Sequence, residues 1–162
     1  MKVLSLFDGI SCGMVALERA GIPVERYVAY EIEPNAIKIS KKNYPQIEHC
    51  GDVTASDFTQ YEGFDLLIGG SPCQGFSIVN KHKKENDERN DLYKFYVHAV
   101  NQSRPKVFLM ENVEGILKIY DGIRKDFEHV GYIVCDPLIL SPKDFGFPQS
   151  RKRVFVLGVN ED

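Results

Sequence analysis

Short apolar runs rich in β-branched residues alternate along this chain with stretches whose apolar positions recur at helical spacing. Residues 3–7 read as an opening strand, and residues 12–20 as a helix that stops at Gly21. Residues 26–31 form the next strand. Residues 34–43 form a helix with Pro34 in its first turn, where a missing N–H loses no partner. Residues 47–50, 64–68 and 106–111 supply three further strands, and residues 91–102 and 115–129 two further helices. Strands over residues 132–136 and 153–159 complete the pattern. Seven strands interleaved with helices predict an α/β fold, a doubly wound and mostly parallel sheet covered on both faces.

One long polar connection interrupts the alternation, residues 78–90, with the run Lys-His-Lys-Lys-Glu-Asn-Asp-Glu-Arg-Asn. A loop of that length in a compact domain is either a functional lid or a solvated surface segment. There is no internal repeat. At 162 residues the chain fits one domain, and 43% apolar with 27% charged residues is ordinary for a soluble globular protein. No apolar stretch approaches the roughly 20 residues of a membrane span. The N-terminus enters a strand and lacks the layout of a signal peptide. Cys12, Cys50, Cys73 and Cys135 show neither a Cys-x-x-Cys pair nor a metal-like spacing with histidine. The expectation is therefore a cytoplasmic protein without metal or membrane association. The net charge of −3 argues against a protein coated in positive charge, while residues 81–84 and 151–153 leave room for a local basic face.

Candidate chemistry gathers at the predicted carboxyl ends of the strands, where open α/β sheets bind their ligands. The first strand ends in Phe7-Asp8-Gly9-Ile10-Ser11-Cys12-Gly13, a turn that lets a ligand approach the backbone and the following helix. By itself such a turn is only a strand-to-helix connection. The second strand, however, ends at Glu31, about 20 residues on, where an acid takes the ribose hydroxyls of a nucleoside cofactor. After the third strand, Asp52 can accept from an adenine amino group with Val53 against the ring. Together these ends imply a nucleoside cofactor. They fit a nicotinamide cofactor or S-adenosylmethionine, and Ser11 in place of a second glycine disfavours the former.

Cys73 stands on the turn Gly69-Gly70-Ser71-Pro72-Cys73-Gln74 directly after the fourth strand. A cysteine in a loop is most simply a small buried side chain, but a reactive thiolate needs a partly exposed, electropositive setting of the kind this edge offers. The fifth strand delivers Glu111-Asn112-Val113 to the neighbouring edge. Gln149-Ser150-Arg151-Lys152-Arg153 enters the last strand, with Arg151 and Arg153 on one side and Lys152 on the other. Alone those cations read as a solvated cluster; beside Cys73 and Glu111 they read as the cationic part of a site.

The runs Phe7-Asp8-Gly9, Gly70-Ser71-Pro72-Cys73-Gln74, Glu111-Asn112-Val113 and Gln149-x-Arg151-x-Arg153, in this order, resemble the cytosine-5 DNA methyltransferases. The opening Leu4-Ser5-Leu6-Phe7-Asp8-Gly9-Ile10 looks most like the de novo type and its bacterial and phage relatives. The resemblance implies a class I methyltransferase fold, a Rossmann-like doubly wound seven-stranded sheet whose last strand is antiparallel. It implies S-adenosylmethionine as methyl donor, S-adenosylhomocysteine as product, and double-stranded DNA as partner. Cys73 would add to carbon 6 of a flipped-out cytosine, so that carbon 5 becomes nucleophilic. Glu111 would hold ring nitrogen 3 and the exocyclic amine and supply a proton. Arg151 and Arg153 would position the 2-carbonyl and help keep Cys73 ionised. On the cofactor side it places Phe7, Asp8, Gly9, Ile10 and Ser11 at the methionine end and Glu31 at the ribose. Ile32, Asp52 and Val53 would hold the adenine, with Pro72 and Leu92 alongside. Ser71, Gln74, Asn112 and Gln149 fall on the substrate side, and the polar loop would close over the base.

Members of that family continue past Gln-x-Arg-x-Arg into a target-recognition region, whereas this sequence ends at Asp162. The expectation is one catalytic domain over residues 1–162 without that region: an engineered or natural fragment, a subunit whose second chain supplies target recognition, or a minimal enzyme with little sequence preference. A tRNA cytosine-5 methyltransferase shares the Pro-Cys and Glu-Asn-Val runs, although the Ser71-Pro72-Cys73-Gln74-Gly75-Phe76 context fits the DNA enzymes better. An inactive cofactor-binding scaffold is a further alternative, against which the intact Cys73, Glu111, Arg151 and Arg153 set argues.

Overall fold

The computed structural model describes residues 1–70 and 92–162. Ser71, Pro72, Cys73, Gln74 and the 78–90 connection, together with the side chain of Leu92, lie outside the described residues. The parallel strands are β1 (Lys2–Leu6), β2 (Arg26–Tyr30), β3 (Glu48–Gly51), β4 (Leu66–Gly69) and β5 (Val107–Val113). They are followed by β6 (Tyr132–Val134), β7 (Leu138–Leu140) and β8 (Arg153–Asn160). The helices are α1 (Cys12–Arg19), α2 (Pro34–Asn43), α3 (Leu92–Ser103) and α4 (Tyr120–His129). The sheet order is β3-β2-β1-β4-β5-β8-β6. The order reverses between β1 and β4, the switch point at which open α/β sheets form their binding crevice. β8 runs antiparallel to β5 and β6, as the resemblance implies.

β7 is a strand that the sequence pattern does not predict. Leu138, Ile139 and Leu140 pair with Phe155, Val154 and Arg153 on the same edge of β8 that β6 occupies further along. Three residues between Pro137 and Ser141 are too few to show period-two alternation. The helix expected over residues 115–129 also divides: residues 114–119 form 3-10 turns and α4 begins at Tyr120.

One face of the sheet carries the main core. Leu4, Leu6, Val28, Leu67, Phe108, Met110, Val154 and Val156 pack there against Tyr96, Ala99 and Val100 of α3 and Ile123 and Phe127 of α4. Phe108 sits at its centre, stacked on Phe127 at 4.2 Å between ring centroids and tilted against Tyr132 at 5.3 Å. The buried tyrosines keep their hydroxyls satisfied: Tyr96 donates to the Leu109 carbonyl at 3.0 Å and Tyr132 to that of Pro105 at 2.7 Å.

Among the described residues, the opposite face is covered only in part. Met14 and Leu17 of α1 pack on Val3, Tyr27 and Ala29, and α2 lies beside α1 through Ser40 and Ser11. Over β5 and β8, Val107, Leu109, Phe155 and Leu157 stay half-buried, and Ile133 of β6 is 60% exposed. Among the described residues α1 and α2 serve that face, and their connections to β1, β2 and β3 tether them over those strands.

A Cβ built on Gly158 of β8 falls 2.0 Å from the Phe108 ring. Gly158→Ala is expected to lower stability by about 1–3 kcal/mol in urea unfolding, because the central stack must shift. An unchanged midpoint would show that the aromatic core accommodates the methyl group.

Candidate active site

Four strand ends enclose a cavity of about 300 Å³ lined by Phe7, Tyr30, Glu31, Ile32, Gly51, Asp52, Val53 and Gly70. Phe7 leaves β1 in the left-handed region (φ 54°), which turns the chain under the cavity. Glu31 follows β2, and its carboxylate is held by backbone donors. Gly9 N–H donates to Oε1 at 2.8 Å, and Ile32 N–H donates to Oε2 at 2.9 Å. Oε2 also takes a longer bond from Glu33 N–H at 3.4 Å, so the spare acceptor capacity for a ribose hydroxyl lies mainly on Oε1. Asp52 follows β3. Its Oδ1 accepts from the Thr54 N–H and the Thr54 hydroxyl, both at 2.8 Å. Those two bonds hold its carboxyl below the ordinary aspartate range and leave Oδ2 without a donor among the described residues. An apolar slot flanked by two fixed carboxylates is what a nucleoside needs, so the residues present fit the adenosine part of a cofactor.

The turn residues divide. Phe7 lines the cavity, whereas Ile10 is 46% exposed. The Ser11 side chain is fully buried, and its hydroxyl donates to Asp8. Asp8 faces a second, larger cavity of about 470 Å³, and its Oδ1 accepts from Ser5 and Tyr27, each at 2.6 Å. Burial, and next the Asp8 charge, push the Tyr27 hydroxyl well above its ordinary pKa.

That second cavity runs from the turn to Glu111, Arg151 and Arg153. Arg153 Nε stands 3.2 Å from Glu111 Oε1. Gly70 lies against the same carboxylate: a Cβ built there would fall 2.5 Å from the Glu111 carbonyl oxygen and 2.7 Å from Oε2. Glu111 is therefore positioned by an arginine on one side and by a residue without a side chain on the other. Lys152 points elsewhere and meets Glu114 at 3.8 Å. Asn112 is buried, and its Oδ1 accepts from Val113 N–H at 2.9 Å.

Arg151 and Gln149 are both exposed and are held through Ser141, a buried residue that sequence reasoning missed. The Ser141 hydroxyl accepts from Arg151 N–H at 2.9 Å and donates to the Gln149 carbonyl at 3.4 Å. Its own N–H donates to Asp144 Oδ2 at 2.8 Å. The Ser-Pro-x-Asp pattern over residues 141–144 is the sequence signal of such a cap. Gly70, also missed, follows Gly69 at the end of β4, and two adjacent glycines are a hint of close backbone approach.

A family model described as C-5 cytosine-specific DNA methylase matches residues 1–162. The chain is 36% identical over 169 residues to the orphan methyltransferase M.SPRI of Bacillus phage SPR, covering 100% of this chain and 38% of that protein. It is 34% identical over 167 residues to the type II methyltransferase M.Eco47II of Escherichia coli, covering 99% of this chain and 40% of the relative. The chain thus spans about two fifths of the length of these curated relatives. Among solved structures, the S. pombe Dnmt2 methyltransferase superposes with a TM-score of 0.80 at 25% identity, over 100% of this chain and 50% of that one.

Thr54→Val removes the hydroxyl donor from Asp52 and retains the backbone one. The Asp52 carboxyl pKa is expected to rise toward its ordinary value in an NMR titration. A carboxyl depressed in the folded state stabilises above its unfolded pKa and loses that contribution as pH falls through the folded one. The variant's loss should therefore be full above about pH 4 and fade as the pH falls below it. A pKa that does not move would show that the backbone bond alone sets it.

Proposed function

The chain belongs to the C-5 cytosine-specific DNA methylase family, and we propose that it carries the catalytic part of an S-adenosylmethionine-dependent DNA cytosine-5 methyltransferase. The observation that carries this reading is the Glu111–Arg153 pair at 3.2 Å, set against Gly70, the residue from which the chain enters Ser71-Pro72-Cys73-Gln74. Connectivity keeps Cys73 three residues from a backbone that touches Glu111.

The cofactor, when bound, supplies an electrophilic methyl group. Phe7, Ile32 and Val53 give its adenine an apolar slot, Asp52 Oδ2 accepts from the exocyclic amine, and Glu31 takes the ribose hydroxyls. Cytosine reaches the pocket only after leaving the duplex stack, at a few kcal/mol. Glu111 Oε2, free of the arginine, binds ring nitrogen 3 and supplies the proton that neutralises the ring as Cys73 adds to carbon 6. Arg153 Nη1 donates to the Lys152 carbonyl at 2.8 Å, which leaves Nη2 to take the 2-carbonyl. Arg151 adds positive charge that favours the Cys73 thiolate. After methyl transfer, loss of the carbon 5 proton expels Cys73 and restores the aromatic ring.

Target recognition in this reading comes from polypeptide outside these 162 residues, in continuity or as a second chain. The share of the relatives' length that the chain spans supports it.

Duplex DNA bearing 5-fluorocytosine tests the chemistry, because the fluorine blocks the final elimination. With tritiated S-adenosylmethionine the chain is expected to form a labelled covalent adduct that Cys73→Ala abolishes. Glu111→Gln should slow adduct formation about 100-fold or more. Gly70→Ala, which pushes on Glu111 and lines the cofactor cavity, should slow it by a similar factor and weaken cofactor binding as well. Cofactor binding without any adduct would overturn autonomous catalysis and leave the scaffold reading.

A further inference from the structure

Asp8 lies in the turn assigned to the cofactor, yet its carboxylate is taken up by protein. We propose that Asp8 is a positioning residue, the terminus of a one-way hydrogen-bond chain through Ser11, Ser40 and His49 that braces the cofactor cavity from behind. This inference rests on reading that cavity as the cofactor site.

The chain's direction follows from counting protons. The Asp8 carboxylate only accepts, so Ser11 Oγ, like Ser5 and Tyr27, donates its single proton to it. Toward Ser40, at 2.5 Å, Ser11 must then accept, which commits the one Ser40 proton. Ser40 can only accept from His49 Nε2 at 3.2 Å, so the imidazole carries its proton there. Nδ1 is left bare, and it is buried with no hydrogen-bond partner. A proton on Nδ1 would therefore point at nothing.

All members but Ser40 belong to segments that run into the cavity lining, and Ser40 joins two of those segments from α2. Asp8 and Ser11 flank the turn that starts at Phe7, Tyr27 is on the β2 strand that ends before Glu31, Ser40 is on α2, and His49 is on β3 two residues before Gly51. Ser11 adopts φ 67°, a left-handed conformation that costs a non-glycine residue, and its buried hydroxyl bonds over-determine it. The network therefore fixes how far Phe7, Glu31 and Asp52 stand from one another.

Two charged groups act on His49, Lys41 of α2 and Asp8. Burial first, then Lys41, lower its pKa, with Asp8 opposing. The neutral imidazole is thus the working form. A base whose folded pKa is depressed has its full effect above its unfolded value of about 6.5 and loses it as pH falls through the folded one. Cofactor affinity should weaken over that window.

The test is calorimetric binding of S-adenosylhomocysteine to the 162-residue chain at pH 7.5 and pH 5, with amide exchange of residues 8–13 in the absence of ligand. Ser40→Ala and His49→Ala are expected to weaken binding about tenfold at pH 7.5 and to speed exchange of the turn. In His49→Gln the side-chain amide can restore the donor to Ser40. That variant should recover binding at pH 7.5 and show no loss at pH 5, where the unsubstituted chain weakens severalfold. Undiminished binding and unchanged exchange in Ser40→Ala would overturn the inference while leaving the cofactor reading intact. If the unsubstituted chain fails to bind S-adenosylhomocysteine at all, the cofactor reading falls, and the bracing of a cofactor site falls with it. A variant that only lowers thermal stability, with the same pH profile as the parent, also counts against the positioning role.

Discussion

Because β8 runs antiparallel to β5, pairing Arg153 with Val113 and Phe155 with Glu111, the beginning of the last strand meets the ends of the parallel ones. A parallel strand in that position would have delivered residues 151–153 to the opposite edge of the sheet, about 20 Å away by strand rise. The cations then could not have reached Glu111. The reversal also seats Gly158 over Phe108, so the strand that brings the arginines is locked to the most tightly packed part of the core. Site geometry and core packing are in this sense one constraint.

The second requirement is close backbone approach at the end of β4. Gly69 has φ 144°, and a Cβ there would fall 2.0 Å from the Leu6 carbonyl oxygen; Gly70 then lies against Glu111. Side chains at either position would push β4 away from β1 or from β5. The strand ends would spread, and the cavity shared by Phe7, Glu31, Asp52 and Gly70 would lose its closed shape. These two glycines do structurally what Ser141 does on the far side, where one buried hydroxyl fixes the loop carrying Gln149 and Arg151.

Most of the fold was legible because a buried parallel sheet writes itself as short apolar runs separated by helical periods. Phe64 to Ile68 and Val107 to Met110 are unbroken apolar or nearly so, and α2 announces itself with Pro34. β7 was not legible, since three residues have no period. Of the site, Phe7, Glu31, Asp52, Val53, Glu111, Arg151 and Arg153 stand at strand ends where the pattern put them. What it could not show was direction. Asp8 and Ser11 occupy a turn beside the cavity, yet their side chains turn into the protein, and nothing in a linear sequence distinguishes those two orientations.

The polar residues in the apolar elements were the overlooked clue. Ser5 interrupts an otherwise apolar strand and is buried, and Ser40 is the buried residue of α2 where an aliphatic side chain would pack better. A buried hydroxyl without a partner costs about 1–3 kcal/mol, so such residues persist where a network satisfies them. A fully satisfied network also has few alternative arrangements, unlike an aliphatic contact, which tolerates sliding. Elements packed only through apolar side chains could therefore drift by fractions of an ångström at little cost. Elements joined through Ser11, Ser40 and His49 cannot drift without breaking bonds whose direction is already committed. For a site built from four separate strand ends, that rigidity is worth more than the small gain from burying another methyl group.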